Sequence, residues 1–148
     1  MGTRYKGSKS ETTILDTYIK LYRATEKIKS GIFPVLHDHK ISETQFYILD
    51  ALYNLGPKHQ KELAEKVLKS GGNITMVIDN LEKTQLVSRT RGKSDRRVYR
   101  VSITPKGKKL YEKIFPDFLN YLVKEFSPLT SKELNELSRI SKKLGLTV

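Results

Sequence analysis

Residues 86–104 read LVSRTRGKSDRRVYRVSIT, two short strand-like stretches around a basic turn. Leu86–Arg91 and Val98–Ile103 have the composition of strands, and the glycine and aspartate between them favour a turn. The period-two alternation of the second stretch predicts an inward face formed by Tyr99, Val101 and Ile103. The segment therefore predicts a β-hairpin.

The predicted hairpin is strongly cationic. Within twelve residues it carries six basic side chains, which are Arg89, Arg91, Lys93, Arg96, Arg97 and Arg100. Arginine favours the narrow, electronegative minor groove of DNA. Asp95 is the acidic residue among them, and we expect it to order the turn and to steer one arginine through an ion pair. The alternative is a solvated hairpin whose charges discourage pairing with another sheet edge.

A helix-turn-helix pattern precedes the hairpin. We predict a helix from Gln60 to about Leu68, a turn at residues 70–72, and a second helix from Ile74 to about Gln85 that Asn73 caps. The second helix of such a pair places its N-terminal residues in the major groove. The expected DNA-contacting positions here and in the turn are Ser70, Gly72, Asn73, Thr75 and Met76. Three ordinary core helices are the alternative.

Two further helices are expected before this pattern. A heptad-like apolar spacing predicts the first from about residue 11 to 33, ending near Pro34. Ser42 and Gln45 form a capping box that starts the second, and Gly56 with Pro57 ends it.

Two more helices are expected after the hairpin. Thr104 caps the first of them, with Pro105 at its first position, and Pro116 should kink or break it. Thr130 and Glu133 form a capping box for the last helix. The fold class is therefore mainly α with a small β-hairpin wing, a winged helix-turn-helix with added N- and C-terminal helices.

Composition excludes several classes of protein. No apolar run reaches the roughly 18 residues that a membrane span needs, and residues 1–10 lack the apolar stretch of a signal peptide. The absence of cysteine excludes disulfides and thiolate chemistry. We expect a cytoplasmic protein with no membrane partner.

Positive charge is concentrated in the middle of the chain. The net charge is +12, and residues 58–109 alone carry 14 basic against 5 acidic side chains. Such a basic block favours a polyanionic partner, most commonly a nucleic acid. We therefore expect double-stranded DNA as a partner.

Six short motifs follow one another along the chain, namely Leu63-Ala64-Glu65, Asn73-Ile74-Thr75, Leu81-Glu82-Lys83, Leu86-Val87-Ser88-Arg89, Asp95-Arg96-Arg97 and Ile103-Thr104-Pro105-Lys106-Gly107. In order and spacing they resemble the MarR family of multiple-antibiotic-resistance regulators. The resemblance covers about residues 12–146. It implies one domain over residues 1–148, with dimerisation helices at 11–35 and 105–148 and a winged helix-turn-helix at 42–104.

The resemblance also assigns roles. It implies a homodimer at the nucleoid whose recognition helix reads the major groove and whose wing enters the minor groove through Arg97, beside Asp95. The wing and its flanks that we expect to contact DNA comprise Arg89, Arg91, Lys93, Ser94, Asp95, Arg96 and Arg97. A small aromatic or anionic effector is a further expected partner, with a pocket assigned to Tyr18, Tyr22, His37, Phe46, Tyr47 and Tyr111. The alternative is that these aromatic side chains belong to the core, which is the commoner role of aromatics at helical spacing.

Three positions depart from the family pattern. Met76 stands where a basic residue is common, so the base preference is expected to differ. Gln85 replaces the glycine that ends the recognition helix, which requires a left-handed non-glycine residue or another geometry. His59 replaces the usual Ser or Thr before the third helix, which weakens that helix start.

Motifs for catalysis or metal binding are not recognisable. The sequence lacks a P-loop, a dinucleotide-binding motif and an H-E-x-x-H motif, so we expect no enzyme, no catalytic residue and no cofactor. His37 and His39 fall short of a metal site, because His59 is far away in sequence and a polar loop explains them.

The resulting hypothesis is a sequence-specific regulator, most simply a ligand-responsive repressor that binds a pseudo-palindromic operator as a dimer. Two alternatives stay open. One is a non-specific architectural or nucleoid-antagonising DNA binder, and the other is a winged helix that serves protein contacts only.

Overall fold

The structure, a computed structural model, describes residues 4–67, 71–92 and 98–145. Its elements are α1 (Lys9–His37), α2 (Glu43–Leu55), β1 (Lys58–His59), α3 (Gln60–Lys66), α4 (Gly71–Lys83), β2 (Val87–Arg91), β3 (Tyr99–Ile103), α5 (Pro105–Phe126) and α6 (Ser131–Gly145). This order confirms the mainly α fold class with a β-hairpin. The chain forms two compact units, unit 1 from residues 1–31 and 119–148, and unit 2 from residues 32–118.

Unit 2 is built around an apolar core. The helices α2, α3 and α4 bury a set of side chains almost completely, namely Phe46, Ile48, Leu49, Leu52, Leu63, Ile74, Ile78 and Leu81. In α4 these positions are three or four residues apart, which brings them to one face of the helix. That face packs into the core and leaves the opposite face of α4 to solvent.

A three-stranded antiparallel sheet in the order β1-β3-β2 completes unit 2. The β2–β3 ladder runs from Val87 opposite Ile103 to Arg91 opposite Tyr99, so the predicted hairpin is confirmed as far as it is described. Val101 is fully buried, as the alternation along β3 predicts. The two-residue strand β1 was not predicted, because a strand of two residues has no period-two pattern to detect.

The helix α1 ends later than the sequence predicts. It passes Pro34 and continues to His37, so the expected end near Pro34 is wrong. Only one turn follows the proline, and that turn buries Leu36 in the core. Lys40 then adopts φ 55°, and the Ile41 N–H donates to the Leu36 carbonyl at 3.2 Å. This is a Schellman motif, which satisfies the last carbonyls of the helix.

The helix α4, the predicted recognition helix, begins earlier than the sequence predicts. It starts at Gly71, so Asn73 lies in its first turn, and the prediction that Asn73 caps it is wrong. The first N–H groups of any helix have no acceptor within the helix. A helix that starts at Gly71 leaves as many N–H groups without a helical acceptor as one that starts at Ile74. The earlier start therefore loses no backbone hydrogen bond.

At the other end of α4, Gln85 adopts the first of the two geometries expected for it. This residue adopts φ 63°, the left-handed conformation that glycine usually supplies. The Gln85 N–H donates to the Glu82 carbonyl at 2.9 Å, and the Leu86 N–H donates to the Leu81 carbonyl at 2.9 Å. A second Schellman motif therefore ends α4, with a non-glycine residue in the strained position.

The starts of α2 and α6 follow the predicted capping pattern. Both capping boxes are confirmed, with the Ser42 N–H donating to Gln45 Oε1 at 2.9 Å and the Thr130 N–H donating to Glu133 Oε2 at 2.8 Å. The helix α5 runs unbroken through Pro116, so a break there is wrong. Packing of the neighbouring turns, including the fully buried Ile114, outweighs the lost backbone hydrogen bond.

Unit 1 contains α1 up to Gly31, α5 from Leu119 and all of α6. A Cβ atom added at Gly31 would lie 2.1 Å from the Tyr121 hydroxyl, so glycine permits the close approach of α1 and α5. The Tyr121 hydroxyl donates to the Ile28 carbonyl at 3.0 Å. Over the described residues, no helix combines the length and apolarity that crossing a bilayer requires.

Candidate nucleic-acid interface

The base-reading candidates on α4 lie in three different environments. Asn73 is exposed, and Met76 exposes 59% of its surface to solvent. Thr75 is only half-buried, and its hydroxyl accepts a hydrogen bond from the Gln60 side chain at the start of α3. Gly72 lies in the first turn of the helix. The side chains of Asn73 and Met76 are thus accessible to a groove of DNA, whereas the Thr75 side chain also connects α3 to α4.

Arg89 is held by the recognition helix instead of projecting into solvent. Its guanidinium pairs with Asp79 Oδ1 through Nη2, and its Nε lies 3.3 Å from Glu82 Oε2. The Arg89 backbone N–H also donates to Glu82 Oε1 at 3.2 Å. Only 14% of the Arg89 side chain is exposed. These contacts tie the first wing strand β2 to α4.

The next arginine along β2 has a different environment. Arg91 is exposed, and its guanidinium carbon lies 5.8 Å from the centre of the Tyr99 ring on β3. The guanidinium carbon of Arg89 lies 5.9 Å from the same ring. Cation–π attraction of this kind orients a guanidinium without neutralising it. Tyr99 therefore lies near both the arginine that is ion-paired with α4 and the exposed arginine that remains available to a polyanion.

The base of the wing is anchored to the start of α5. The Thr104 hydroxyl donates to the Gln85 carbonyl at 2.7 Å and accepts from the Gly107 N–H at 3.0 Å. A Cβ atom at Gly107 would lie 2.1 Å from the Leu86 carbonyl oxygen, so this position requires glycine. Lys106 Nζ donates to the Thr84 carbonyl at 2.8 Å. These contacts hold the end of α4 and the root of β2 against α5.

Part of the predicted interface lies outside the described residues. This applies to Ser70 in the turn and to the wing positions Lys93, Ser94, Asp95, Arg96 and Arg97. Sequence reasoning missed four residues that position the interface, which are Gln60, Asp79, Glu82 and Tyr99. The two acidic residues, three apart on α4 and followed by a run of arginines, were the available signal.

The six residues predicted to line an effector pocket fall into several groups. Phe46 and Tyr111 are buried, with ring centres 5.8 Å apart. They are core residues of unit 2. Tyr47 lines a cavity of about 410 Å³, and the His37 ring lies 5.4 Å from that of Phe33. Tyr18 and Tyr22 are exposed neighbours on α1 in unit 1, with ring centres 6.2 Å apart.

A polar network connects α2 to α5 beside this core. The Tyr111 hydroxyl donates to Asp50 Oδ1 at 2.6 Å, and Asn54 Nδ2 donates to the same oxygen at 3.0 Å. Burial, with the Asp50 hydrogen bond, raises the pKa of Tyr111 to about 12. Burial, with the charge of Glu43, raises the pKa of Tyr47 to about 12. Both hydroxyls therefore stay protonated at neutral pH.

Of the two histidines predicted to belong to a polar loop, His39 lies in the turn after α1, whereas His37 is the last residue of that helix, so its placement in a loop is wrong. His39 Nε2 lies 3.8 Å from Asp117 Oδ2. A search of the described part of the chain finds no group of three or more His, Cys, Asp or Glu side chains that could hold a metal ion.

Comparison with known proteins identifies the family. A model of the MarR family matches residues 41–99. The HTH-type transcriptional regulator MhqR of Bacillus subtilis (strain 168) is 33% identical over 132 residues, which are 89% of this chain and 91% of MhqR. The chain belongs to the MarR family. As a family member it is a transcriptional regulator of the helix-turn-helix type.

Solved structures of MarR-family proteins agree in fold. A mutant MarR from E. coli complexed with operator DNA superposes with a TM-score of 0.81 at 20% identity, covering 93% of this chain and 99% of that one. NadR in complex with 4-hydroxyphenylacetate superposes with a TM-score of 0.76 at 24% identity, covering 97% of each chain. At this level of identity the likeness is one of fold.

Proposed function

We propose that this MarR-family regulator acts as a homodimer on a pseudo-palindromic operator with half-sites about 10 base pairs apart. A protein bound across promoter DNA excludes other proteins from it, so repression is the simplest outcome. The protein would act in the cytoplasm, at the nucleoid, and residues 1–148 would work as one MarR-like domain.

The observation that carries the proposal is the ion-paired junction between α4 and β2. Asp79 and Glu82 on α4 hold Arg89, while Asn73 and Met76 on the same helix remain exposed. These contacts fix the recognition helix and the wing strand to each other. The two elements that would read DNA grooves therefore keep one relative orientation. Such preorganisation reduces the ordering cost of binding.

Within this interface we assign separate roles. Asn73 is suited to pair with an adenine edge, and Met76 to contact a thymine methyl, each at about 1–3 kcal/mol for a good contact. Arg91 supplies charge to a phosphate near the wing. At the wing tip, the assignments are Arg97 to the minor groove, Asp95 to its orientation, and Lys93, Ser94 and Arg96 to the neighbouring backbone.

The proposed dimer surface is the apolar exterior of unit 1. On α6 no residue is buried, although apolar side chains line one face, namely Leu134, Leu137, Ile140 and Leu144. On α1 and α5 further large apolar side chains are exposed, among them Ile14, Leu119 and Val123. Exposed apolar side chains gathered in one unit are typical of a protein–protein interface. A second copy of unit 1 is the occupant we propose.

A small aromatic or anionic effector is proposed as the signal. NadR, which shares the fold, is known in complex with 4-hydroxyphenylacetate. An effector that binds one conformation of the dimer more tightly shifts the population toward it and so changes the affinity for DNA.

DNA binding is tested by fluorescence anisotropy with a duplex from upstream of the protein's own gene. The control is a duplex of shuffled sequence at the same salt concentration. We expect tighter binding to the upstream duplex and an affinity that falls as salt rises. Equal affinities for both duplexes would favour the architectural alternative. No binding at low salt would favour the protein-contact alternative and overturn the proposal.

A further inference from the structure

A hydrogen bond joins the two helices of the helix-turn-helix motif. Gln60, the first residue of α3, donates through Nε2 to the hydroxyl of Thr75, the fifth residue of α4. The two residues are 15 positions apart in the chain. Both belong to unit 2, and both are half-buried. The bond therefore reaches from the helix before the turn to the side chain of a residue on the proposed recognition helix.

The backbone at Gln60 is held by the residues around it. His59 pairs with Arg100 of β3 in the antiparallel sheet. The His59 N–H also donates to Glu62 Oε2 at 2.7 Å, which closes the first turn of α3. This hydrogen bond is the main cause of the lowered pKa of Glu62, so the acceptor stays charged at neutral pH. The Gln60 side chain thus extends from a backbone that the sheet and the cap both hold.

Thr75 lies at the boundary between two faces of α4. Ile74 and Ile78 are buried in the core of unit 2. Asn73 and Met76 are exposed, on the surface that the proposed function assigns to the major groove. The half-buried Thr75 carries a hydroxyl and a methyl group on one carbon atom, so the direction of the hydroxyl also sets the direction of the methyl.

The hydrogen bond restricts the rotamer of Thr75. A threonine in a helix divides between two side-chain rotamers, whereas a valine strongly prefers one. The bond from Gln60 selects the rotamer of Thr75 that directs the hydroxyl to α3. The methyl group then has one direction before DNA is bound. A side chain that is already ordered loses less conformational entropy on binding.

We propose that Gln60 is a positioning residue, which holds Thr75 so that its methyl group contacts the methyl group of a thymine in the operator. Apolar contact with the thymine methyl is one way in which side chains distinguish bases in the major groove. The inference rests on the proposed function, since it assigns base readout within the same interface. It gives Gln60, which has no assigned contact with DNA, a role in base preference.

The test replaces single thymines of the upstream duplex by deoxyuridine, which removes only the methyl group. Fluorescence anisotropy measures the affinity for each duplex. For the wild type we expect one thymine, dependent on Thr75, whose replacement weakens binding by about fourfold, as for the loss of one buried methyl group. Thr75→Val keeps a methyl group and should retain this difference, whereas Thr75→Ser should abolish it. The opposite pattern, with the difference kept by serine and lost by valine, would overturn the inference.

A second substitution tests the positioning by Gln60. Gln60→Met should reduce the difference between thymine and deoxyuridine at that position to about twofold or less, because the Thr75 methyl loses its fixed direction. In a Thr75→Val background the same substitution should have no effect, because valine keeps its rotamer unaided. Glu65→Met, at an exposed position of α3, is the matched control and should retain the wild-type difference. An unchanged difference in Gln60→Met, or an equal reduction in both backgrounds, would overturn the positioning role.

The rotamer has a readout that needs no DNA. Three-bond couplings to the Thr75 methyl carbon, measured by NMR, should indicate one rotamer in the wild type and averaging between rotamers in Gln60→Met. Averaged couplings in the wild type would overturn the inference and leave the proposed function intact. Equal affinities of the wild type for the upstream and shuffled duplexes would instead overturn the proposed function, whatever the couplings show.

Discussion

Arg89 on the first wing strand is ion-paired with Asp79 on the recognition helix. Glu82 contacts both the guanidinium and the backbone N–H of the same arginine. An arginine that sequence alone assigns to DNA is therefore ion-paired within the protein. We therefore propose that Arg89 positions the wing and that its neighbours supply the charge that meets the phosphate backbone.

This distinction predicts different salt dependences for two arginines of β2. Arg91→Met should weaken DNA binding and lower the slope of log affinity against log salt by about 1, because one phosphate contact is lost. Arg89→Met should weaken binding while leaving the slope unchanged, because no phosphate contact is removed. Anisotropy titrations at several salt concentrations measure both slopes. A slope that falls equally in both variants would place Arg89 on the DNA.

The end of the recognition helix predicts a stabilising substitution. Gln85 has φ 63°, a conformation that costs a non-glycine residue roughly 1–2 kcal/mol. Gln85→Gly should therefore raise the free energy of unfolding by about 1 kcal/mol, after the greater entropy of the unfolded glycine is deducted. Urea denaturation provides the measurement.

Lys83→Gly is the control for that substitution. Lys83 is the last helical residue of α4, where glycine should lower the free energy of unfolding by up to about 1 kcal/mol. A loss of stability in both variants would show that the left-handed residue carries no strain.

These two sites indicate what the sequence could and could not predict. A left-handed Gln85 was one of the two geometries expected, because Gln85 stands where the family pattern has glycine and a Schellman motif depends on local geometry alone. The role of Arg89 was not foreseen, because its partner Asp79 is ten residues away and their contact depends on how β2 packs on α4. For the same reason the sequence left Phe46 and Tyr111 undecided between core and pocket, since helical spacing alone does not distinguish the two.

The raised pKa of Tyr111 predicts a loss of stability in alkali. Its phenol keeps its proton up to about pH 12 in the folded protein, whereas the unfolded chain releases it near pH 10. The stabilisation is thus complete below about pH 10 and is lost as the pH rises toward about 12, because the unfolded state then binds fewer protons.

Melting temperatures measured from pH 9 to 12 test this expectation. Tyr111→Phe should lose stability less steeply over that interval than the wild type. Tyr18→Phe, which removes an exposed hydroxyl, should follow the wild-type curve. Identical pH profiles for all three proteins would contradict a role for the buried phenol.

The apolar face of α6 leads to a prediction about assembly. Ile140 exposes 47% of its surface in the single protomer, so a charge there costs the protomer little but is buried without a partner in a dimer. Ile140→Glu should leave the helical circular dichroism unchanged and shift sedimentation from dimer to monomer. Because one protomer reaches only half of a palindrome, loss of the dimer should also weaken binding to the upstream duplex.

Asn135→Glu adds the same charge at an exposed polar position of α6 and should remain dimeric. Dimers that persist in Ile140→Glu would exclude this face as the interface.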